Sequence, residues 1–263
     1  MKNMITLLAV LGMVLALAPA ATVQAEPLVT DGLLGYWSFD AQDATDDSTN
    51  GHHGTESGTV VYRTDDVPTN GGAASLDLTA SGSGSIGVIT GGNEDIFDTE
   101  AHSIAFWTKG EPSGDWGNWI TKSSEGDGFM IRQHTSAKTT MYYDIRGGGG
   151  DLSVSINHAD NVWHHYVMTY DSSGVDSGTK RIYQDGAEVA SAGGQDAPPS
   201  LRTLAFGDRD SNDDAGFQPI GGSSRTRVQL DEIYYFDRAI TSNEVLTLIT
   251  PPSPAPGMLM IVK

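Results

Sequence analysis

Oxygen-bearing side chains are concentrated in the first polar loop of the chain and occur once more near its end. Asp40 closes the first run of strand-forming residues, and the loop behind it carries Asp43, Asp46, Asp47 and Asn50. Asp231 lies far along the chain, in the last long strand-forming run. Calcium takes about six to eight oxygens from carboxylates and carbonyls, and these residues could supply several. The alternative is that they only hydrogen-bond the backbone of turns.

Polar side chains also alternate along two later runs. Residues 128–134 and 141–146 each form a predicted strand with one polar face. If these strands are neighbours, their polar faces combine an aromatic platform with hydrogen-bonding groups, which is the chemistry of glycan binding. The candidate ligand-binding residues, including one in the loop 113–118, are Trp116, Arg132, His134, Tyr142, Asp144 and Arg146. The alternative is a water-facing sheet with Arg–Asp pairs worth well under about 1 kcal/mol each.

Several aromatic residues are predicted to be structural. Trp37, Trp107 and Trp163 lie inside strand-forming runs with apolar neighbours, so we expect all three to pack in the core. His164 and His165 are adjacent in a predicted strand and cannot share one face. We expect one of these two histidines to face the core.

The sequence contains no recognisable catalytic motif. There is no Cys and no Gly-x-Ser-x-Gly nucleophile elbow. The acidic run 208–214 begins like an EF-hand loop, but Asp213 and Pro219 stand where that loop requires Gly and Glu. We therefore interpret this run as a solvated loop. Two carboxyl groups from different strands could still converge for glycoside hydrolysis, so an enzyme stays open as an alternative.

Charge and the chain ends limit the partners and the location. The 263 residues carry a formal net charge of −19, which disfavours nucleic acid and anionic lipid as partners. Residues 1–25 combine Lys2, an apolar run and a small-residue cleavage pattern, and predict a secretory signal peptide. The apolar run is too short to favour a retained membrane helix, so we expect no transmembrane span in the mature chain. The predicted location is therefore exported: secreted, surface-bound or periplasmic.

Short strand-forming runs separated by Gly, Asp, Ser and Asn dominate residues 26–250. No long stretch shows helical periodicity, and this pattern is typical of an all-β, two-sheet antiparallel sandwich or jelly roll. Residues 41–58 are predicted to be a polar loop, and Asp185-Gly186 a tight hairpin turn. Thr241 and Glu244 form a capping box that predicts one short C-terminal helix. Residues 251–263 are a Pro-rich tail that we expect to be irregular.

An ordered set of motifs resembles the LamG-like jelly-roll domains of the concanavalin A-like lectin/glucanase superfamily, in the bacterial laminin-G-like group. These motifs are LGYWSFD at 34–40, HSIAFW at 102–107, WHHYVMTYD at 163–171, YQDG at 183–186 and LDEIYYFDRAI at 230–240. Each motif alone is weak, but their order and spacing across residues 33–250 are specific. The resemblance implies a single concanavalin A-like jelly roll over residues 26–250.

The resemblance also implies a structural calcium between the N-terminal loop and the late acidic strand. Its expected ligands are Asp40, Asp47, Asn50 and Asp231. The paired-carboxylate motif of the superfamily's retaining glucanases is missing. We therefore expect an exported, non-catalytic binding or adhesion module with polysaccharide or glycoprotein as partner. The alternatives are a structural surface or matrix protein, and a polysaccharide hydrolase or lyase of the same fold.

Overall fold

Two antiparallel sheets make up almost all of the regular structure. The computed structural model describes residues 26–79, 84–88, 96–110, 117–123, 128–133, 139–145, 150–155, 161–173, 178–195, 203–208 and 227–250. Its strands, in chain order, are β1 (Leu33–Trp37), β2 (Gly54–Ser57), β3 (Val61–Arg63), β4 (Ser75–Asp77), β5 (Ser85–Val88), β6 (His102–Lys109), β7 (Asn118–Ser123), β8 (Gly128–Gln133), β9 (Thr140–Ile145), β10 (Asp151–Ser155), β11 (His164–Asp171), β12 (Gly178–Gln184), β13 (Ala187–Gln195), β14 (Leu204–Phe206) and β15 (Gln229–Phe236). One helix, α1 (Ser242–Ile249), follows the last strand.

The first sheet has eight strands in the order β13-β12-β11-β6-β15-β4-β3, with β1 paired to β15. The second sheet has seven strands in the order β10-β9-β8-β7-β14-β5-β2. The predicted all-β, two-sheet antiparallel sandwich with one short C-terminal helix is therefore confirmed. The division of the chain at residues 25 and 250 stays a prediction, because residues 1–25 and 251–263 lie outside the described residues.

The main core lies between the two sheets and is filled by alternate residues of their strands. It includes Trp37, Phe106, Tyr143, Tyr166 and Phe206. A second apolar cluster lies on the other side of the first sheet, where α1 packs against it through Val245 and Leu248. The first sheet is therefore apolar on both faces over part of its area. We call the face that α1 covers the outer face of the first sheet.

The residue types at the turn explain the geometry of the hairpin. β11, β12 and β13 form a three-stranded meander, in which the predicted tight turn at Asp185 and Gly186, with φ of 50° and 84°, joins β12 to β13. Positive φ at both positions is what a two-residue hairpin turn requires, and Asp-Gly accepts it at low cost. The polar loop predicted at 41–58 is wrong at its end, because Gly54–Ser57 pairs with β5 as an edge strand. These residues lack an alternating apolar pattern, so only the backbone pairing identifies the strand.

Two of the three tryptophans predicted to lie in the core do not. Trp37 is fully buried between the sheets, whereas Trp107 and Trp163 are only partly buried. Trp107 follows the core residue Phe106 and therefore faces outward on β6. Of the two adjacent histidines, His165 is buried as expected, but it lies opposite Trp107 on that same outer face and not in the main core.

Candidate functional site

A bulge in β15 places two carboxylates side by side on the outer face of the first sheet. Asp231 is opposite Trp107 and Tyr234 is opposite Ala105, so β15 has one residue more than β6 between these pairs. Glu232 takes up the extra length with φ of 51°. Leu230 and Ile233 both pack in the core, which leaves Asp231 and Glu232 pointing away from it. An inserted residue of this kind re-aims side chains next to functional sites.

The segment 70–74 lies against these carboxylates and holds a third beside them. Asp40 Oδ1 accepts hydrogen bonds from the backbone N–H groups of Ala73 and Ala74. A Cβ atom at Gly72 would collide with Asp40 Oδ2, and one at Gly71 would collide with Asp231 Oδ2. The two glycines are therefore required by close approach, since any side chain there would displace a carboxylate.

Several polar atoms at this site are buried without a hydrogen-bond partner among the described residues. They are Asp231 Oδ2 and both side-chain polar atoms of Asn70, Oδ1 and Nδ2. Asp231 itself is fully buried. Buried polar atoms are nearly always paired, so unpaired atoms on Asp231 and on the neighbouring segment fit a site that binds a further group.

Burial shifts the charge state of the two bulge residues. Burial raises the pKa of Asp231 well above its usual range, with the negative charges of Glu232 and Asp40 adding to the effect. Burial also raises the pKa of Glu232 to about 7, against the opposing hydrogen bond from the Tyr36 hydroxyl at 2.6 Å. Within the described part of the chain, no Lys or Arg forms an ion pair with these carboxylates. The described residues therefore place no positive charge against these carboxylates.

The other two predicted metal ligands lie elsewhere in the loop. Asp47 Oδ2 accepts a hydrogen bond from the Ser38 hydroxyl at 2.5 Å. The Asn50 amide donates to the carbonyls of Leu33 and Leu34 at 3.0 and 3.1 Å. Both side chains hold the loop against β1, whereas Asp40 and Asp231 converge on the segment 70–74. The described residues contain no group of three Asp, Glu or His side chains with metal-binding geometry.

Asn70 was missed by sequence reasoning. It lies in an Asn-Gly-Gly run outside any strand, and an isolated Asn in such a run is ordinarily a turn residue. The glycines that follow it were the available signal, because glycine is selected where the backbone approaches another group closely. Only the folded chain shows which group that is.

On the second sheet the structure brings three of the predicted sugar-binding residues together. β8 pairs with β9, with Arg132 directly opposite Tyr142, and the Arg132 guanidinium forms an ion pair with Asp144. The side chains of Arg132 and Asp144 are only 8% and 4% exposed, so the pair is not the water-facing one of the alternative interpretation. Tyr142 is half-buried beside them. Trp116, His134 and Arg146 lie outside the described residues.

A buried lysine lies close to this face. Lys180 on β12 is fully buried, its ammonium donates to the Gly150 carbonyl, and it lies 5.6 Å from the centre of the Tyr143 ring. Burial lowers the pKa of Lys180 to about 8, although Asp151 and Asp144 oppose the shift. Lys180 therefore contributes positive charge behind the Arg132–Asp144 pair.

Solved structures with the same fold include several binding domains. Domain 4 of AbnA, a GH43 extracellular arabinanase from Geobacillus stearothermophilus, in complex with arabinotriose, is 17% identical, with a TM-score of 0.60 over 83% of this chain and 98% of that one. The binding domain of botulinum neurotoxin DC in complex with SialylT is 13% identical, with a TM-score of 0.60 over 84% of this chain. This chain spans 51% of that toxin domain, and at these identities the likeness concerns the fold.

The remaining findings concern helices that could cross a membrane and matches to known sequences. No helix among the described residues has the length and apolar character needed to cross a membrane. No curated protein sequence matches the chain. The sequence profile Laminin_G_3, described as concanavalin A-like lectin/glucanases superfamily, matches residues 70–246, which is more than half of the chain. The protein therefore belongs to the Laminin_G_3 family of the concanavalin A-like lectin/glucanase superfamily.

Proposed function

We propose that this protein is an exported, non-catalytic binding module for carbohydrate that is stabilised by a calcium ion. The observation that carries the calcium proposal is the set of orphaned oxygens beside the bulge. Asp231 Oδ2 and Asn70 Oδ1 are buried without hydrogen-bond partners among the described residues, and Asp40 lies against the same segment. Carboxylate and carboxamide oxygens are the ligands that calcium prefers, so these residues fit the ion.

In this proposal Asp40, Asn70 and Asp231 hold the ion, and its charge offsets the carboxylates clustered at the bulge. The ion would join the loop after β1, the segment 70–74 and β15. A calcium ion bound only to the folded chain stabilises it by about 2.7 kcal/mol at 100 times Kd. For a domain of this size that corresponds to roughly 5–10 °C in Tm.

The carbohydrate proposal is supported by the family and by the sugar complexes among the solved structures of this fold. In this chain, the outward side of β8 and β9 offers the chemistry for it. Tyr142 supplies a partly exposed aromatic ring next to the Arg132–Asp144 pair, whose fixed polar groups can orient hydroxyls. We assign polysaccharide or glycoprotein glycans as the partner.

The calcium proposal is tested by thermal melts with CaCl₂ and with EDTA. The Asn70→Ala variant should lose most of the calcium-dependent rise in Tm, because it removes an oxygen ligand from the ion. The Asn50→Ala variant is the matched control: it should lower Tm by freeing the β1 carbonyls, yet keep the calcium response. Equal melting curves of the natural chain in CaCl₂ and EDTA would rule out the structural calcium.

The carbohydrate proposal is tested on a glycan array and by titration calorimetry with each glycan that binds. The Tyr142→Ala variant should weaken binding by up to about tenfold, because packing of a sugar's apolar face on an aromatic ring contributes roughly 0.5–1.5 kcal/mol. Tyr62→Ala, on the edge strand β3 of the first sheet, removes a half-buried tyrosine elsewhere and should leave the affinity unchanged. No signal on the array would remove the binding function.

A further inference from the structure

A row of polar side chains crosses three neighbouring strands on the outer face of the first sheet. Trp107 on β6 is directly opposite Asp231 on β15 and directly opposite His165 on β11. The Trp107 and His165 rings lie 5.1 Å apart, centre to centre. Because residues directly opposite each other in neighbouring strands point to the same side, all three side chains lie on one patch. Asn70 immediately precedes Gly71, whose backbone lies against Asp231 Oδ2.

Each member of this row has a buried polar atom without a hydrogen-bond partner among the described residues. The atoms are Asp231 Oδ2, Trp107 Nε1 and His165 Nδ1, together with the carboxamide atoms of Asn70. Asp231 and His165 are 0% and 1% exposed. A buried donor or acceptor is costly to leave unpaired, and several on one patch indicate a site that a ligand completes.

The other described tryptophans show that this arrangement is specific to Trp107. The indole N–H of Trp37 donates to the His52 carbonyl at 3.1 Å, and that of Trp119 donates to the Thr108 hydroxyl at 3.1 Å. The indole N–H of Trp163 donates to Asp66 at 3.0 Å. Of these four tryptophans, only Trp107 has an indole N–H without an acceptor in the part of the chain that the structure describes. The Trp107 side chain is partly buried, so its ring borders solvent.

The atoms define the chemistry of the ligand. The Trp107 indole can only donate, the Asp231 carboxylate accepts when ionised, and the Asn70 carboxamide does both. A ligand carboxylate would satisfy the indole but would face the negative cluster of Asp40, Asp231 and Glu232. An ammonium group would leave the indole donor unpaired. A hydroxyl group both accepts and donates, and it can also coordinate a calcium ion bound alongside.

We infer that the patch formed by Asn70, Trp107, His165 and Asp231 is a second binding site, and that it takes a small neutral polyol such as a terminal sugar residue. Ligand hydroxyls accept from the Trp107 indole and donate to Asp231, and the partly buried Trp107 ring is the member of the patch that borders solvent. Gly72 and Ala73 form the exposed rim of the covering segment. This site lies on the opposite sheet from Tyr142 and does not depend on glycan binding there. It shares Asn70 and Asp231 with the proposed calcium site, so the ligand hydroxyls and the ion would be neighbours.

Indole ¹H–¹⁵N correlation spectra of the full chain test this inference directly. The probes are the methyl glycosides of arabinose, galactose and glucose, with glycerol and sodium acetate, each titrated with CaCl₂ and with EDTA. The Trp107 resonance, assigned from its loss in the Trp107→Phe variant, should shift and saturate with at least one glycoside. The Trp37, Trp119 and Trp163 resonances should not move, because their N–H groups already have acceptors.

Two variants separate binding from folding. Trp107→Phe keeps a ring but removes the open donor, and should weaken the binding of that glycoside by about tenfold with little change in Tm. Trp163→Phe loses an occupied hydrogen bond and should leave the affinity unchanged. A Trp107 resonance that responds to no glycoside, or to acetate alone, would overturn the polyol site. If array binding is then still lost in Tyr142→Ala, the proposed function survives without it.

Discussion

His102 is a neutral histidine held in the main core. It is fully buried, its Nε2 lies 2.5 Å from the Tyr143 hydroxyl, and it stacks on Phe129 at 5.1 Å between ring centres. Burial lowers the pKa of His102 to about 3, and the positive charge of Lys122 adds to this effect. The imidazole therefore stays uncharged at neutral and mildly acidic pH.

This pKa shift predicts a loss of stability in mild acid. Below its ordinary pKa of 6.5 the unfolded chain binds a proton at His102 that the folded chain does not bind. Stability is therefore full above about pH 6.5 and falls toward pH 3, by at most about 1.4 kcal/mol per pH unit for this group. Denaturant titrations of the natural chain and of His102→Gln should show a shallower pH dependence in the variant.

His165 shares this behaviour, because burial also lowers its pKa to about 3. The His102→Gln variant should therefore retain part of the acid sensitivity, and a His102→Gln/His165→Gln double variant should lose most of it between pH 6.5 and 5. If the double variant keeps the full slope, neither histidine is the cause. The carboxylates would then have to account for the loss of stability.

At the residue scale, the resemblance placed Asp40 and Asp231 in one site, and both lie against the segment 70–74, whereas Trp107 and Trp163 were assigned to the wrong environment. Strand alternation shows which residues share a face, and it does not show which face is the core when both are covered. On β6, Phe106 packs between the sheets while Ala105 packs in the cluster under α1. Both faces of this strand therefore carry apolar residues. The polar patch at Trp107 is invisible in such a pattern.

The helix α1 shows how local chemistry sets an element. Thr241 accepts a hydrogen bond from the Glu244 N–H, and the Glu244 carboxylate accepts one from the Thr241 N–H at 2.7 Å. Arg238 forms an ion pair with Glu244 at 2.5 Å, and this contact with the cap lowers the pKa of Glu244 to about 2. The predicted capping box is confirmed, and it fixes the helix that covers the outer face of the first sheet.

Removing the cap should destabilise the whole domain. Thr241→Ala is expected to cost about 1 kcal/mol in the free energy of unfolding, because it leaves the first helical N–H groups unpaired. Thr247→Ala is the matched control within the same helix, where the exposed threonine is replaced by a better helix former and stability should hold or rise. Urea unfolding of both variants measures the difference. Equal losses would mean that α1 is held by packing alone.

At the element scale, the elements that were predicted correctly are those whose own residues determine their geometry. The meander β11-β12-β13 was predictable because Asp185-Gly186 permits a single turn geometry. Edge strand β2 was not, because its residues Gly-Thr-Glu-Ser have no periodic apolar side and its pairing with β5 is decided by distant parts of the chain. The segment 70–74 is a similar case, since its position depends on the bulge in β15.

At the scale of the whole molecule, negative charge dominates. The formal net charge is −19, from 34 acidic and 15 basic residues, so a pair such as Lys122–Asp98 at 2.5 Å is available to fewer than half of the acidic residues. Such self-repulsion destabilises a compact state and is screened by salt. We expect Tm to rise by roughly 2–5 °C between 10 and 200 mM NaCl.

The same salt series separates screening from specific binding. Choline chloride should reproduce the rise seen with NaCl, because screening depends on ionic strength and not on the cation. Calcium chloride at matched ionic strength should raise Tm further if the calcium site exists. A Tm that falls with NaCl would show that attractive charge pairs outweigh repulsion in the folded chain.

The family match covers residues 70–246, yet part of the candidate site lies before it. β1 pairs along β15, and Asp40 follows β1 directly, so the N-terminal strand completes both the first sheet and the carboxylate cluster. A resemblance over the remainder of the chain therefore implies the fold but not the full set of residues at this site. That set depends on contacts between residues nearly 200 positions apart in the chain, such as the hydrogen bond from Tyr36 to Glu232, whose separation is 196.

The bulge in β15 also has a consequence for how the gene can change length. Glu232 is the additional residue: Leu230 faces the core and Asp231 the outer face, and Ile233 and Tyr234 repeat this alternation in the same order. An in-frame deletion of this single codon would leave every core residue of the strand on its present side. The sandwich could thus lose or acquire the second carboxylate by one insertion or deletion event, without a shift of register in its central strand.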